Sequence, residues 1–211
     1  MRFTPLAFAA AVIVAAPSAH ADVLLTNLGE PESATTIVTE DLWAAQSFAN
    51  DGNTWTLTSI RTVVGDAVGA PNVFAELREG SVTGTVLTAF SLPSFAGAHS
   101  VRTFTPLTET TLTPGGLYYF ILGLTGADSE IGWTYALGNN QSGPGAFQNY
   151  EYSEDQGATW TNFGEINPYL IEINVEAVGA GVPEPAAWAL MILGFGAAGS
   201  VLRSRRRAAA A

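Results

Sequence analysis

Ile171-Glu172-Ile173-Asn174-Val175-Glu176 alternates apolar and polar side chains without a break. A period of two sends Ile171, Ile173 and Val175 to one face of a strand and their neighbours to the other. One face is then core and the other solvent, the pattern of an antiparallel sheet. Trp55-Thr56-Leu57-Thr58-Ser59-Ile60 reads the same way, with Trp55, Leu57 and Ser59 opposed to Thr56, Thr58 and Ile60. Working outward, brief β-branched and aromatic runs recur between Gly, Pro, Asn and Asp turns. They predict strands at residues 36–39, 43–48, 55–64, 72–79, 86–91, 101–105, 110–112, 117–124, 131–137, 149–153, 159–163 and 170–177. No segment carries a long 3.6-residue apolar stripe. The expected fold is all-β, a β-sandwich or jelly roll.

Leu112-Thr113-Pro114-Gly115-Gly116 precedes Leu117-Tyr118-Tyr119-Phe120. Proline presets a turn, the glycines accept positive φ, and the aromatic run enters a central strand.

Both ends of the 211-residue chain read as address labels, leaving residues 22–178 as the domain. Arg2, the apolar stretch 6–16 and Ala19-His20-Ala21 form a secretory signal over residues 1–21. Cleavage is expected after the small residues Ala19 and Ala21, before Asp22. The competing reading, a buried N-terminal helix, leaves that order of charged, apolar and small residues unexplained. At the other end a linker, 179–182, leads to Val182-Pro183-Glu184-Pro185. An uncharged apolar run, 186–202, follows, at the short limit for a single transmembrane helix. A basic stop, 203–207, holds Arg203, Arg205, Arg206 and Arg207, and 208–211 end the chain. Arginines are retained on the cytoplasmic side, so both ends place the domain across the inner membrane.

Between Asp22 and Val182, eighteen carboxylates face three arginines, a formal −15, and the chain has no lysine. A phosphate backbone would be repelled, which excludes nucleic acid as a partner. Without cysteine there is no disulfide, thiolate metal site or cysteine nucleophile.

Pro183-Glu184-Pro185, Ala186-Ala187-Trp188-Ala189, Gly194-Phe195-Gly196 and the arginine cluster resemble the PEP-CTERM sorting tail, in its Pro-Glu-Pro-x-x-Trp-Ala form. The resemblance spans 183–207. It implies processing by an exosortase, a membrane-embedded cysteine protease, in bacteria that make exopolysaccharide and biofilm matrix, after signal peptidase has acted on the N-terminal signal. The protein would be transiently anchored by its C-terminal helix and then reach the cell surface or extracellular matrix. A plain single-span anchor would satisfy the helix and the arginines equally; Pro-Glu-Pro and Trp188 argue for sorting.

Asn27-Leu28-Gly29, Ala45-Gln46-Ser47-Phe48, Trp55–Ile60, Ala75-Glu76-Leu77-Arg78 and Leu112–Tyr119 resemble exported choice-of-anchor domains. That resemblance implies an anchored β-rich module and no reaction. Ser153-Glu154-Asp155-Gln156-Gly157-Ala158-Thr159-Trp160 is similar to the Asp-box hairpin of sialidase-like propellers. In such a hairpin Asp155 bonds turn amides, Gly157 is left-handed, and Thr159 and Trp160 complete the motif begun by Ser153. A sialidase needs repeated boxes and an arginine cluster, whereas this chain has one box and three scattered arginines; the hairpin is read as structural.

Little else points to chemistry. His20 leaves with the signal, so His99, beside a turn, is the only histidine of the mature chain and is read as solvated. No Gly-x-Ser-x-Gly elbow presents a nucleophile. Glu40-Asp41, Asp128 with Glu130, or Glu154-Asp155 could supply glycosidase carboxyls only if two faced each other across a substrate. Asp128, Glu130 and Asp155 are also candidate calcium ligands, being hard oxygen donors in loops, although solvated turn acids are the preferred account. Residues 139–145, with Phe147, Tyr150 and Tyr152, could bind sugar through amides and aromatic faces, or form a flexible surface loop.

The expectation is a non-enzymatic, exosortase-sorted surface or matrix protein, structural or adhesive and associated with exopolysaccharide or other surface proteins. A carbohydrate-binding module is the alternative and a glycan-acting hydrolase the third reading. No catalytic residue and no cofactor other than calcium is assigned. An exposed aromatic platform would favour the second reading and two opposed carboxyls the third.

Overall fold

The computed structural model describes residues 22–69, 71–126, 128–138, 140–164, 167–178 and 191–195. The strands, all within the compact unit His20–Val178, are β1 Asp22–Thr26, β2 Ala34–Thr39, β3 Trp43–Ala49, β4 Trp55–Val68, β5 Asn72–Glu79, β6 Thr85–Ser91 and β7 Ser100–Pro106. They continue with β8 Thr111–Leu112, β9 Leu117–Thr125, β10 Glu130–Tyr135, β11 Ala146–Ser153, β12 Thr161–Asn162 and β13 Ile171–Ala177. All pair antiparallel, in the order β1-β13-β4-β7-β6-β5-β9-β3-β11-β12. β10 pairs with the end of β4 and carries β2 on its other edge, while β8 pairs with Trp55 and Thr56.

The described residues of the unit His20–Val178 are thus all-β, one antiparallel sheet that curls. Among the described residues, the strand ladder that joins its two halves is the short β6–β7 pairing, Phe90↔Pro106 and Ser91↔Thr105. One apolar cluster joins Leu25, Ile60, Ile171, Ile173 and Val175 from one half to Phe48, Leu77, Phe120 and Leu122 from the other. Phe120 bridges them, meeting Phe104 edge-on at 5.4 Å and Trp133 at 5.8 Å. Each such side chain contributes about 1.5–3 kcal/mol on burial, the main stabilisation available without disulfides.

β9 is central, between β5 and β3, as the aromatic run predicts. Both of its faces are buried, because a second cluster of Ala45, Val82, Tyr119 and Ile121, with Trp160 and Phe74 against it, covers its outer side.

Simple alternation holds in β13, where Ile171, Ile173 and Val175 are buried. It fails in β4. Ser59 pairs with Asn174 and Leu57 with Val175, so Thr58 is an extra residue and Leu57 and Ile60 both face the core. β1 is absent from the sequence expectation for the same reason: a register shift between Val23 and Leu25 buries Leu24 and Leu25 together. Some predicted strands also end earlier or start later than expected. β10 stops at Tyr135, leaving Leu137 exposed, and β12 spans two residues because Thr159 and Trp160 belong to the preceding turn.

Residues 191–195 are helical, and Met191, Ile192, Leu193 and Phe195 are exposed. Among the described residues no helix is long and apolar enough to cross a membrane. The signal segment 1–21, the linker 179–182, Pro183 to Leu190 and the stop 203–207 lie outside the described residues.

Candidate functional site

Where the core opens at the β11 end, tyrosines take over from aliphatic side chains. The cause is local. Phe147 pairs with Phe48 and Tyr150 with Gln46, a register shift that puts Phe147, Tyr150 and Tyr152 on the core side of β11. Phe147 is fully inside, at 3% exposure, whereas Tyr150 and Tyr152 sit half-buried at the mouth. They line a cleft of about 210 Å³ with Tyr135, Tyr169, Thr36, Leu42 and Asn167.

Tyr169 is the floor. One face stacks on Trp133 at 3.8 Å and 10°, and its hydroxyl donates to Thr36 Oγ1 at 3.0 Å. Tyr135 and Tyr150 stand nearly perpendicular to it, at 86° and 88°. Phe163 backs the rim, stacked on Tyr152 at 4.5 Å and on Tyr150 at 5.2 Å.

Two buried amides hold the floor strand. Gln46 Oε1 accepts from Tyr169 N at 3.0 Å; Asn27 donates to Tyr169 O and accepts from Ile171 N at 2.7 Å. Trp133 Nε1 donates to Thr62 Oγ1, which donates to Leu170 O. The rings are therefore preorganised, which lowers the entropy lost on binding. Burial raises the phenol pKa values of Tyr150 and Tyr169 above the ordinary range, keeping both hydroxyls protonated at neutral pH.

The predicted sugar loop is divided. Asn140 and Gln141 line a separate polar hollow with Thr26, Asn27 and Glu30. The described loop residues are pinned to the sheet: Ser142 and Thr26 exchange backbone hydrogen bonds, Gly145 N donates to Leu24 O, and Gln141 Oε1 accepts from Phe147 N. Residues 140–144 are exposed, as a surface loop would be, while Phe147 is a core residue and not a stacking partner for sugar. Asn139 lies outside the described residues.

Ser153 to Trp160 joins β11 to β12. Asp155 accepts from Thr159 N, Thr159 Oγ1 and Ser153 Oγ, and these bonds lower its pKa. Gly157 has φ of 82° and lies against the Trp43 ring, while Trp160 Nε1 donates to Gly157 O. Gln156 bonds Asp41, tying the turn to the segment that carries Leu42. A Cβ at Gly157 would meet Trp43 Cζ3 at 2.6 Å. Gly157→Ala should therefore cost about 1–3 kcal/mol in urea unfolding, through strain and overpacking.

Asp128 lies in the turn before β10, Glu130 opens β10, and Asp155 is in the β11–β12 turn. Among the described residues no three His, Asp or Glu side chains converge on a metal position. His99 is not the solvated residue expected. Its side chain is 20% exposed, packs over Gly132, and has Nε2 3.6 Å from Asp66 Oδ2.

Sequence reasoning also passed over Glu151, a strand residue 7% exposed on the face opposite Tyr150. Burial raises its carboxyl pKa, against a bond from Asn162 Nδ2 that lowers it. A carboxyl with a raised folded pKa favours folding most at low pH, and that contribution is lost as pH climbs through the folded value. Glu151→Gln keeps an acceptor for Asn162. It should be more stable than the parent at pH 7, and the difference should vanish below the ordinary carboxylate range; melting both proteins across pH checks this.

No curated protein matches the chain in sequence. Residues 181–207 match the family model described as the PEP-CTERM protein-sorting motif. The chain therefore carries a PEP-CTERM tail, which marks it as an exported protein sorted by an exosortase and transiently anchored in the membrane on its way to the surface.

Proposed function

We propose that this is a surface or matrix adhesion protein whose β domain, folded as a sandwich, binds carbohydrate in the tyrosine cleft and acts by binding without turnover. The observation that carries this is the rim of Tyr135, Tyr150 and Tyr152 over the Tyr169 floor. Sugar rings bind proteins through C–H faces laid on aromatic rings and hydroxyls bonded to polar side chains, and mostly apolar clefts with a few convergent polar groups are the usual form of small-molecule sites. The described lining offers both, in phenol faces and in the hydroxyls and amide of Thr36, the tyrosines and Asn167. Exopolysaccharide is the ligand source that a surface destination makes available.

The test is a glycan array on the full chain in detergent, with and without calcium, with product release followed by mass spectrometry. Saturable binding without product supports the reading. Turnover would make the domain an enzyme. No binding to any glycan would leave a structural surface protein whose partner is another protein or itself.

A further inference from the structure

The charge of the ligand can be inferred from the cleft and its surroundings. This inference rests on the carbohydrate reading above. The domain's three arginines are engaged away from the cleft. Arg61 pairs with Glu172 at 2.6 Å, Arg78 pairs with Glu76, and Arg102 donates to Ala96 O at 3.0 Å. With no lysine in the chain, no described cation lines the cleft, while the domain carries a formal −15. An anionic sugar would enter a repulsive field without a counter-charge.

The ring geometry points the other way. Aromatic faces are electron-rich, and a cation held against several of them is attracted by their quadrupoles. Tyr135 and Tyr150 rise at 86° and 88° from Tyr169, and all three border one cavity. Tyr169, 1% exposed, closes the bottom, so Tyr135 and Tyr150 are the aromatic walls open to a ligand, and the acidic domain around them raises the local concentration of cations.

We propose that the tyrosine cleft selects glycans bearing protonated amino groups, a free hexosamine seating its ammonium between Tyr135 and Tyr150 and its ring against Tyr152. The hydroxyls of Thr36 and Tyr135 and the Asn167 amide are placed to bond the sugar's own hydroxyls.

The experiment is calorimetric titration of the full chain in detergent with three oligomers of equal length: glucosamine, N-acetylglucosamine and a hexuronate. Glucosamine oligomers should bind roughly tenfold more tightly than the N-acetylated ones. That preference should disappear once the pH is raised enough to deprotonate the amine, and the uronate should not bind. Tyr150→Ala should abolish the preference and Tyr150→Phe should keep it, since phenylalanine retains the ring face.

Equal binding of both hexosamine oligomers would overturn the charge selection and leave the carbohydrate reading standing. Uronate binding would do the same. Glucosamine binding that Tyr150→Ala and Tyr135→Ala both leave unchanged would place the cation elsewhere on the acidic surface and overturn the proposal. Absence of binding by all three, with no hit on the array, would overturn both readings. Circular dichroism of each variant separates loss of binding from loss of fold.

Discussion

Trp133→Ala should cost about 3–5 kcal/mol of folding stability, the largest loss expected from one substitution in the domain. The indole is fully buried, stacks on Tyr169 at 3.8 Å and meets Phe120 edge-on at 5.8 Å. Truncation leaves a cavity too well braced to collapse, and it removes the donor to Thr62 Oγ1. Domains have a net stability of about 5–15 kcal/mol, so about a fifth or more would be lost. Urea unfolding followed by circular dichroism reads the change directly. Trp133→Phe should fall between the two, keeping a ring under Tyr169 while forfeiting the indole N–H. A loss below about 1 kcal/mol for the alanine variant would mean that the ring is not what supports the cleft floor.

Replacing Pro183, Glu184 and Pro185 together by alanine should remove the protein from the surface fraction and leave it in the inner membrane. The apolar run that follows and its arginine stop remain intact in this variant, so membrane insertion is preserved. Only recognition by the sorting machinery is lost. Replacing Arg203, Arg205, Arg206 and Arg207 should instead weaken retention of the C-terminus on the cytoplasmic side. Fractionation with intact-mass analysis separates the two outcomes. It also shows whether the mature chain starts at Asp22. Surface delivery of the triple alanine variant would show that Pro183, Glu184 and Pro185 are not what the sorting machinery reads.

The strand set was legible because β13, β5 and β9 announce themselves in periodicity and in turn residues. What escaped is every place where a bulge changes the phase. Thr58 turns Ile60 inward, Leu24 joins Leu25 in the core, and the shift between Phe147 and Tyr150 aligns side chains that simple alternation would set on opposite faces. No local rule of composition places an extra residue in a ladder; the partner strand decides it.

The cleft was half visible. Tyr150 and Tyr152, two apart in a strand, share a face by period alone, and both were named as sugar-stacking candidates. Tyr135 comes from β10 and Tyr169 from the segment before β13, and they meet the other two only through the curl of the sheet, so no spacing in the chain could have joined them. The amides expected to accompany the rings went to a different hollow because backbone bonds to Leu24 and Thr26 hold their loop there. The tail needed no such assembly. Its motif is contiguous, and sequence alone sufficed to read it.

The most direct measurement is a nuclear magnetic resonance titration of the full chain, labelled on its tyrosine rings, with glucosamine and N-acetylglucosamine oligomers. Of the six tyrosines, Tyr135, Tyr150, Tyr152 and Tyr169 line the cleft, while Tyr118 and Tyr119 lie in the body of the sheet. Carbohydrate binding at the cleft predicts saturable shifts of the first four and none of the last two. Shifts of Tyr118 and Tyr119 instead, or no shift at any ring, would contradict it.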